Sequence, residues 1–329
     1  MTGDWRYRLA EQRGTLLAAG IFVVMFIIYV GNHPAGFTAN VVQTAANKGV
    51  LLALVAMAQT VVVLTAGIDL SVGMIFIFTN CLASYIVTGS TPLAILGVAG
   101  VLVVGLLCGA INGLIVIYGR LQPIVTTIAT GSIYYGVALY MRPQPGSSDS
   151  FNSDVADFMT GQLPGGVPTS LVVLLIIVLL VWIPFRRSAL GRDIYATGSS
   201  ELAAFMSGVP IQRAKFAAYC FSGLFSAMGG LYVTFITYSG EASFANGGTY
   251  TLYSIAAVVL GGVSLFGGVG SAIGAIFGAF AFRTIGDLLF VFNFDPLWQP
   301  LFQGVVLLVV VCVGAARLFR IRNRLDLFA

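Results

Sequence analysis

Charged residues fill 9% of the 329 positions, against roughly 25% in an ordinary soluble domain, while apolar residues reach 58% and the mean hydropathy is +0.96. So little charge cannot cover a water-facing surface, and apolar stretches that are continuous rather than alternating exclude a spanning β-barrel. The net charge of +4, from 16 basic and 12 acidic residues, is placed in a way that excludes nucleic acid as a partner and leaves an all-α, polytopic transmembrane bundle, read as one domain over residues 1–329.

Arg6, Arg8 and Arg13 precede an apolar run from Thr15 to Val30. A secretory signal has a similar layout, but no small-residue cleavage site follows, so the run is expected to remain as a first helix. Apolar windows of about 20 residues, the length that crosses a hydrocarbon core, place membrane helices near 14–31, 44–65, 72–89, 92–118, 122–141, 168–185, 214–238, 251–266, 269–291 and 297–317. About ten spans put both termini on one side, and the positive-inside bias makes that side the cytoplasm. Arg6, Arg8 and Arg13, then Arg186, Arg187, Arg192, Arg213 and Lys215, then Arg317, Arg320, Arg322 and Arg324 all fall there, with Arg120. Residues 142–168, with Asp149, Asp154 and Asp157 among Ser, Gly and Pro and no helical apolar period, are expected as an external loop, and 186–214 as a cytoplasmic one. Glu241 and Asp295 also face outward; Lys48, near the outer end of the second span, runs against the bias.

Two stretches break the apolar pattern with glycines and polar atoms: Thr65-Ala66-Gly67-Ile68-Asp69-Leu70-Ser71-Val72-Gly73, and Gly261 to Ser271, which contains Ser264. Irregular backbone at membrane depth persists only inside protein or against a wet cavity. One break in each half is the arrangement of a pathway framed by two related halves, although the halves share no obvious identity. Asp69 is the acidic residue set deepest in apolar sequence, which makes it a functional candidate. With Ser71 it equally suits a cap on the following helix, whose orphan amides both side chains can accept from. Arg283 and Asp287, four residues apart, are expected to pair on one helix. Asn112, Gln122, Thr126, Thr127 and Thr130 form a polar series, either pathway lining or interhelical hydrogen bonds. The candidate pathway set is thus Asp69, Ser71, Asn112, Gln122, Thr126, Thr127 and Ser264. Tyr134, Tyr135 and Phe76 suit interhelical packing better than lining.

No enzyme constellation emerges. The single histidine, His33, lacks ligand spacing, and Cys81, Cys108, Cys220 and Cys312 are scattered without a CxxC pair, so no metal site is expected. A GxxxxGK(S/T) phosphate loop is absent, and the only lysines, Lys48 and Lys215, are in no such context. If ATP drives the work, a partner subunit must carry it.

From Arg186 to Lys215 the chain reads RRSALGRDIYATGSSELAAFMSGVPIQRAK. A short helix is expected from Ser200 to Ser207, with Ser199 as N-cap, Glu201 in the first turn, and Gly208 and Pro210 as its stop. Leu202, Phe205 and Met206 share one face, with Ala203 and Ala204 between them. Unless that face folds back on the bundle, it is a knob for a partner's groove.

This segment resembles the coupling loop of ABC importer permeases of the ribose-type sugar family. The string LTAGIDLSVG, Leu64 to Gly73, is similar to that family's most recognisable one almost letter for letter. NGLIVIYGRLQPIVTTIAT, Asn112 to Thr130, and AVVLGGVSLFGGVGSAIGAIFGA, Ala257 to Ala279, are similar to its remaining signatures. Ser199-Ser200 departs from it, since relatives usually show Asn beside an acidic residue there, which changes side-chain size at the docking surface. The resemblance implies a vitamin B12-importer-type fold in the bacterial inner membrane. It also implies a second permease, of the same chain or a paralogue, an extracytoplasmic sugar-binding protein, and separate ATP-binding cassette subunits holding ATP and Mg. The mechanism so implied is alternating access, with the 199–208 helix transmitting motion to the breaks around Asp69 and Gly261. The rival from another class is an ion- or proton-coupled secondary carrier using Asp69. A membrane enzyme would need several carboxylates or histidines converging on one cleft, and the sequence shows no such cluster.

Overall fold

A computed structural model describes residues 13–309 and 312. Arg6, Arg8, Arg317, Arg320, Arg322 and Arg324, on which the orientation rests in part, lie outside the described residues. The helices in chain order are α1 (Arg13–Asn32), α2 (Ala39–Val63), α3 (Val72–Ile86), α4 (Thr91–Gly113), α5 (Pro123–Met141), α6 (Ser153–Thr160), α7 (Thr169–Ile177), α8 (Ile183–Arg187), α9 (Ala189–Ser199), α10 (Glu201–Met206), α11 (Ile211–Thr237), α12 (Phe244–Leu260), α13 (Ala272–Val291) and α14 (Gln299–Val309). One π-helical turn, Leu114–Tyr118, extends α4, and another, Val178–Trp182, joins α7 to α8.

Among the described residues 7 helices, counting α4 and α7 to α8 with their π turns, are long and apolar enough to cross a membrane. The chain is a polytopic helical membrane protein. The other three expected spans fall on shorter helices: α3 with 15 residues, α12 with 17, and α14. α12 starts at Phe244 rather than near 251, because Ser243 caps it by accepting from Asn246 N at 3.2 Å.

α2 is the centre of the bundle. From Gly49 to Val63 it is buried on every side, as a helix that is apolar all round requires, and α11, α12 and α13 pack on it. α1 buries only Ala18 and Tyr29. Its exposed leucines, isoleucines and valines face hydrocarbon, which solvates them as well as a protein core does. α4 and α11 cross with their backbones nearly touching: a Cβ on Gly109 would lie 2.1 Å from Tyr219 O, and one on Gly223 2.1 Å from Gly105 O.

Two expectations change here. Residues 142–168 hold a helix, α6, and a small antiparallel ribbon, Gln162–Leu163 with Val167–Pro168. Asn152 Oδ1 starts α6 by accepting from Val155 N at 2.9 Å, and eight residues are too few to display an apolar period. Gln43 and Asn47 fasten its end to α2 through Thr160 O, at 2.7 and 2.8 Å. Asp287 pairs not with Arg283 but with Lys48, at 2.8 Å. The packing of α13 on α2 brings a cation from another helix to the carboxylate, and four-residue spacing within one helix cannot reveal such a competitor.

Candidate functional site

The first break begins where Leu64 ends α2. Gly67 N turns back to Val62 O at 3.2 Å, and Ala66 takes φ +62°, a left-handed conformation that costs a residue with a Cβ. This reversal carries Asp69 into the protein, where it is fully buried. Its Oδ1 accepts from Ser71 N at 2.9 Å and Ser71 Oγ at 2.6 Å; its Oδ2 accepts from Ser222 Oγ of α11 at 2.9 Å. A carboxylate withdrawn from water needs such donors. Ser71 Oγ in turn accepts from Asn112 Nδ2 of α4 at 2.7 Å. The Tyr134 hydroxyl of α5 lies 3.2 Å from Asn112 Oδ1 and 3.0 Å from Cys108 O. Leu70 N donates to Thr127 Oγ1 at 3.0 Å, and Gly73 N to Thr251 Oγ1 at 3.1 Å. Side chains of α4, α5, α11 and α12 thus hold one irregular segment. The capping expectation is corrected in one respect: Ser71 occupies the N-cap of α3, but its hydroxyl caps nothing because it points at Asp69.

Asp69, Ser71, Asn112 and Thr127 therefore meet. Thr126 is buried on α5 with Oγ1 unpartnered among the described residues, and Thr130 turns its hydroxyl to Thr126 O at 3.1 Å. Gln122 is exposed at the start of α5 and caps nothing; Ser264 belongs to the other break. Sequence reasoning missed Ser222 and Thr251, and favoured packing over lining for Tyr134. The signal for Ser222 is the spacing of Lys215, Tyr219, Ser222 and Ser226, which puts one polar stripe along α11.

The second break is held by its backbone. Ser264 N donates to Val269 O at 3.0 Å, Gly267 N to Ser264 O at 3.1 Å, and Phe266 N to Ser264 Oγ at 3.2 Å. Gly268, with φ +69°, donates its N–H to Leu64 O at 3.0 Å, so the two breaks touch. Gly198 of α9 fills the junction: a Cβ there would stand 1.8 Å from Leu64 O and 2.6 Å from Gly268 N. Tyr195 of the same helix donates to Gly270 O at 2.7 Å. α9 is wedged between both breaks.

α10 follows after a single residue, Ser200. Its cap is Ser200, whose Oγ accepts from Ala203 N at 3.3 Å, and not Ser199, which ends α9 with Oγ donating to Tyr195 O at 2.9 Å. Ser200 is extended, with φ −163° and ψ 109°, and that is the conformation an N-cap residue needs. Gly208, with φ +77°, closes α10: its N–H reaches Phe205 O at 3.0 Å and Val209 N reaches Ala204 O at 3.0 Å. Ala204 is buried, whereas Leu202, Phe205 and Met206 are 71%, 70% and 80% exposed. Glu201 Oε2 meets Lys215 Nζ of α11 at 2.8 Å, across the small break that separates α10 from α11.

The family described as "Branched-chain amino acid transport system / permease component" matches residues 41–311. The ribose import permease protein of Escherichia coli strain K12 is 33% identical over 307 residues, covering 93% of this chain and 94% of its own. The chain belongs to the ribose-type family of ABC importer permeases. The fructose import permease protein of Rhizobium meliloti is 33% identical over 306 residues, 89% of this chain and 83% of its own. The D-allose transport system permease protein of Escherichia coli strain K12 is 30% identical over 307 residues, 92% and 91%. No solved structure matches. The permease is a transport subunit, not an enzyme, and among the described residues no group of three His, Cys, Asp or Glu side chains could hold a metal ion.

Proposed function

We propose that the permease passes a monosaccharide through the bacterial inner membrane by alternating access, with α10 as the element that an ATP-binding cassette subunit grips. The observation that carries this reading is the placement of α9 and α10. α10 presents Leu202, Phe205 and Met206 to solvent, and α9, one residue earlier, is lodged through Gly198 between the two breaks. A displacement of the exposed knob therefore meets the irregular segments directly, as coupling through one shared element demands. On this reading Ser199, Ser200, Glu201, Ala203, Ala204 and Gly208 shape the knob, and Asp69, Ser71, Asn112 and Thr127 shape the pathway wall that moves. ATP and Mg sit on the partner subunits, an extracytoplasmic sugar-binding protein delivers the solute, and a second permease, identical or paralogous, completes the pathway. Both termini face the cytoplasm, with about ten crossings in a vitamin B12-importer-like fold.

The names of the relatives favour a sugar over a branched-chain amino acid. An ion-coupled carrier would need Asp69 available to its ion, and the carboxylate oxygens are instead taken by Ser71 and Ser222. The experiment is reconstitution with the ATPase subunits and binding protein, comparing wild type with Phe205→Asp/Met206→Asp. Uptake is expected to fall by about tenfold or more, and ATPase activity to lose its stimulation by loaded binding protein. Undiminished stimulation would refute the docking role. Titrating the binding protein with ribose, fructose, allose and leucine tests the substrate class separately.

A further inference from the structure

We propose that the lateral groove between α1, α2, α7 and α13 holds one anionic phospholipid of the phosphatidylglycerol kind. The groove has a volume of about 560 Å³. Its wall is made chiefly by Phe22, Phe26, Leu174, Phe277 and Phe280. The rings of Phe22 and Phe280 are 5.2 Å apart, and Phe280 is seated against Gly49 of α2, where a Cβ would come 2.3 Å from the ring. Leu175 on its lip is exposed, so the groove opens to the side, where a bilayer offers hydrocarbon and no water. From Ile273 to Asp287 the lining follows α13 for about 21 Å at 1.5 Å per residue. That exceeds the depth of one leaflet, about half of a ~30 Å core. An extended acyl chain suits this shape better than a compact solute.

One end of the apolar groove adjoins a second, more polar hollow lined by Lys48, Arg283 and Asp287. Arg283, Thr284 and Asp287 line that end. Lys48 already neutralises Asp287 at 2.8 Å, while Arg283 makes no ion pair or hydrogen bond among the described residues. Two cations thus face one carboxylate. A guanidinium beside hydrocarbon calls for an anion, and a phosphate offers two oxygens in the geometry its fork accepts. A headgroup bearing an ammonium would bring a third cation to Lys48 and Arg283, so a headgroup without one fits. The inference is independent of the sugar and of α10.

The test uses the full-length permease in mild detergent, offered phosphatidylglycerol or phosphatidylcholine of matched chains and read by native mass spectrometry. Wild type should retain one phosphatidylglycerol, favoured by roughly five- to tenfold over phosphatidylcholine. Arg283→Gln should lose the preference, Arg283→Lys, which keeps the charge but not the fork, should keep part of it, and Ala45→Phe, which fills the groove, should retain neither lipid. Equal retention of the two lipids by wild type, an unchanged preference in Arg283→Gln, or no retained lipid at all would overturn the proposal. Because the two Arg283 variants leave the apolar walls of the groove unchanged, they decide the matter even if Ala45→Phe does not fold.

Discussion

The two breaks in the bundle are built in opposite ways. The one around Asp69 is a knot of side chains, in which a buried carboxylate gathers Ser71 and Ser222, and Ser71 gathers Asn112. The one from Gly261 to Ser271 is a backbone structure, turned by glycines and closed by amide bonds, with Ser264 its main side-chain contributor. Polar deletions should therefore hurt the first and spare the second, whereas added methyl groups should hurt the second and its junction with α9, and in the first chiefly Gly73, where a Cβ would stand 1.9 Å from Gly247 O.

The largest effect is expected where both breaks meet. Gly198→Ala drives a Cβ to within 1.8 Å of Leu64 O, and Gly268→Ala adds a strained φ of +69° to a clash with Ser199. Each should cost about 3 kcal/mol, seen as a marked drop in thermal midpoint in detergent and loss of uptake in proteoliposomes. If either variant melts like wild type, the wedge is not tight. Next comes the side-chain knot: Asp69→Ala leaves the Ser71 and Ser222 donors without their acceptor and should cost about 2 to 3 kcal/mol, with Ser222→Ala alone near 1 kcal/mol. A loss for Ser222→Ala as large as for Asp69→Ala would mean that the network is not divided as drawn. Ser264→Ala should cost under about 0.5 kcal/mol, since amide bonds keep its turn. The smallest effect, or a gain, is expected for Gln59→Leu. Gln59 is fully buried on α2 with neither amide atom partnered among the described residues, so leucine removes an unmet polar group at similar size. A clear loss of stability there would point to a partner for Gln59 in the working complex.

The bundle, its breaks and the exposed face of α10 were legible because each is written in local order: apolar length, glycine runs, a cap and a stop. What the sequence concealed depends on which helices become neighbours. Lys48 takes Asp287 from Arg283 because α13 lies on α2, and Ser222 reaches Asp69 across 153 residues. The shift of the cap from Ser199 to Ser200 has another origin. Ser199 is claimed by α9, a helix whose own cap, Ser188 accepting from Gly191 N at 3.1 Å, is weakly signalled among arginines. The four strings that resemble the ribose-type permeases survive as structure: two are the breaks, one is the α9 to α10 segment, and one leads through Asn112 and Thr127 into the knot.

The crossing of α4 and α11 bears on how far a push can travel. At Gly105, Gly109 and Gly223 no layer of side chains separates the two backbones, so there is nothing between them to compress or re-rotamerise. A tug on Lys215, at the foot of α11, would therefore shift Asn112 and Ser222 together, as a rod moves both its ends. The glycines that look like empty positions in the sequence are what make this pair of helices stiff.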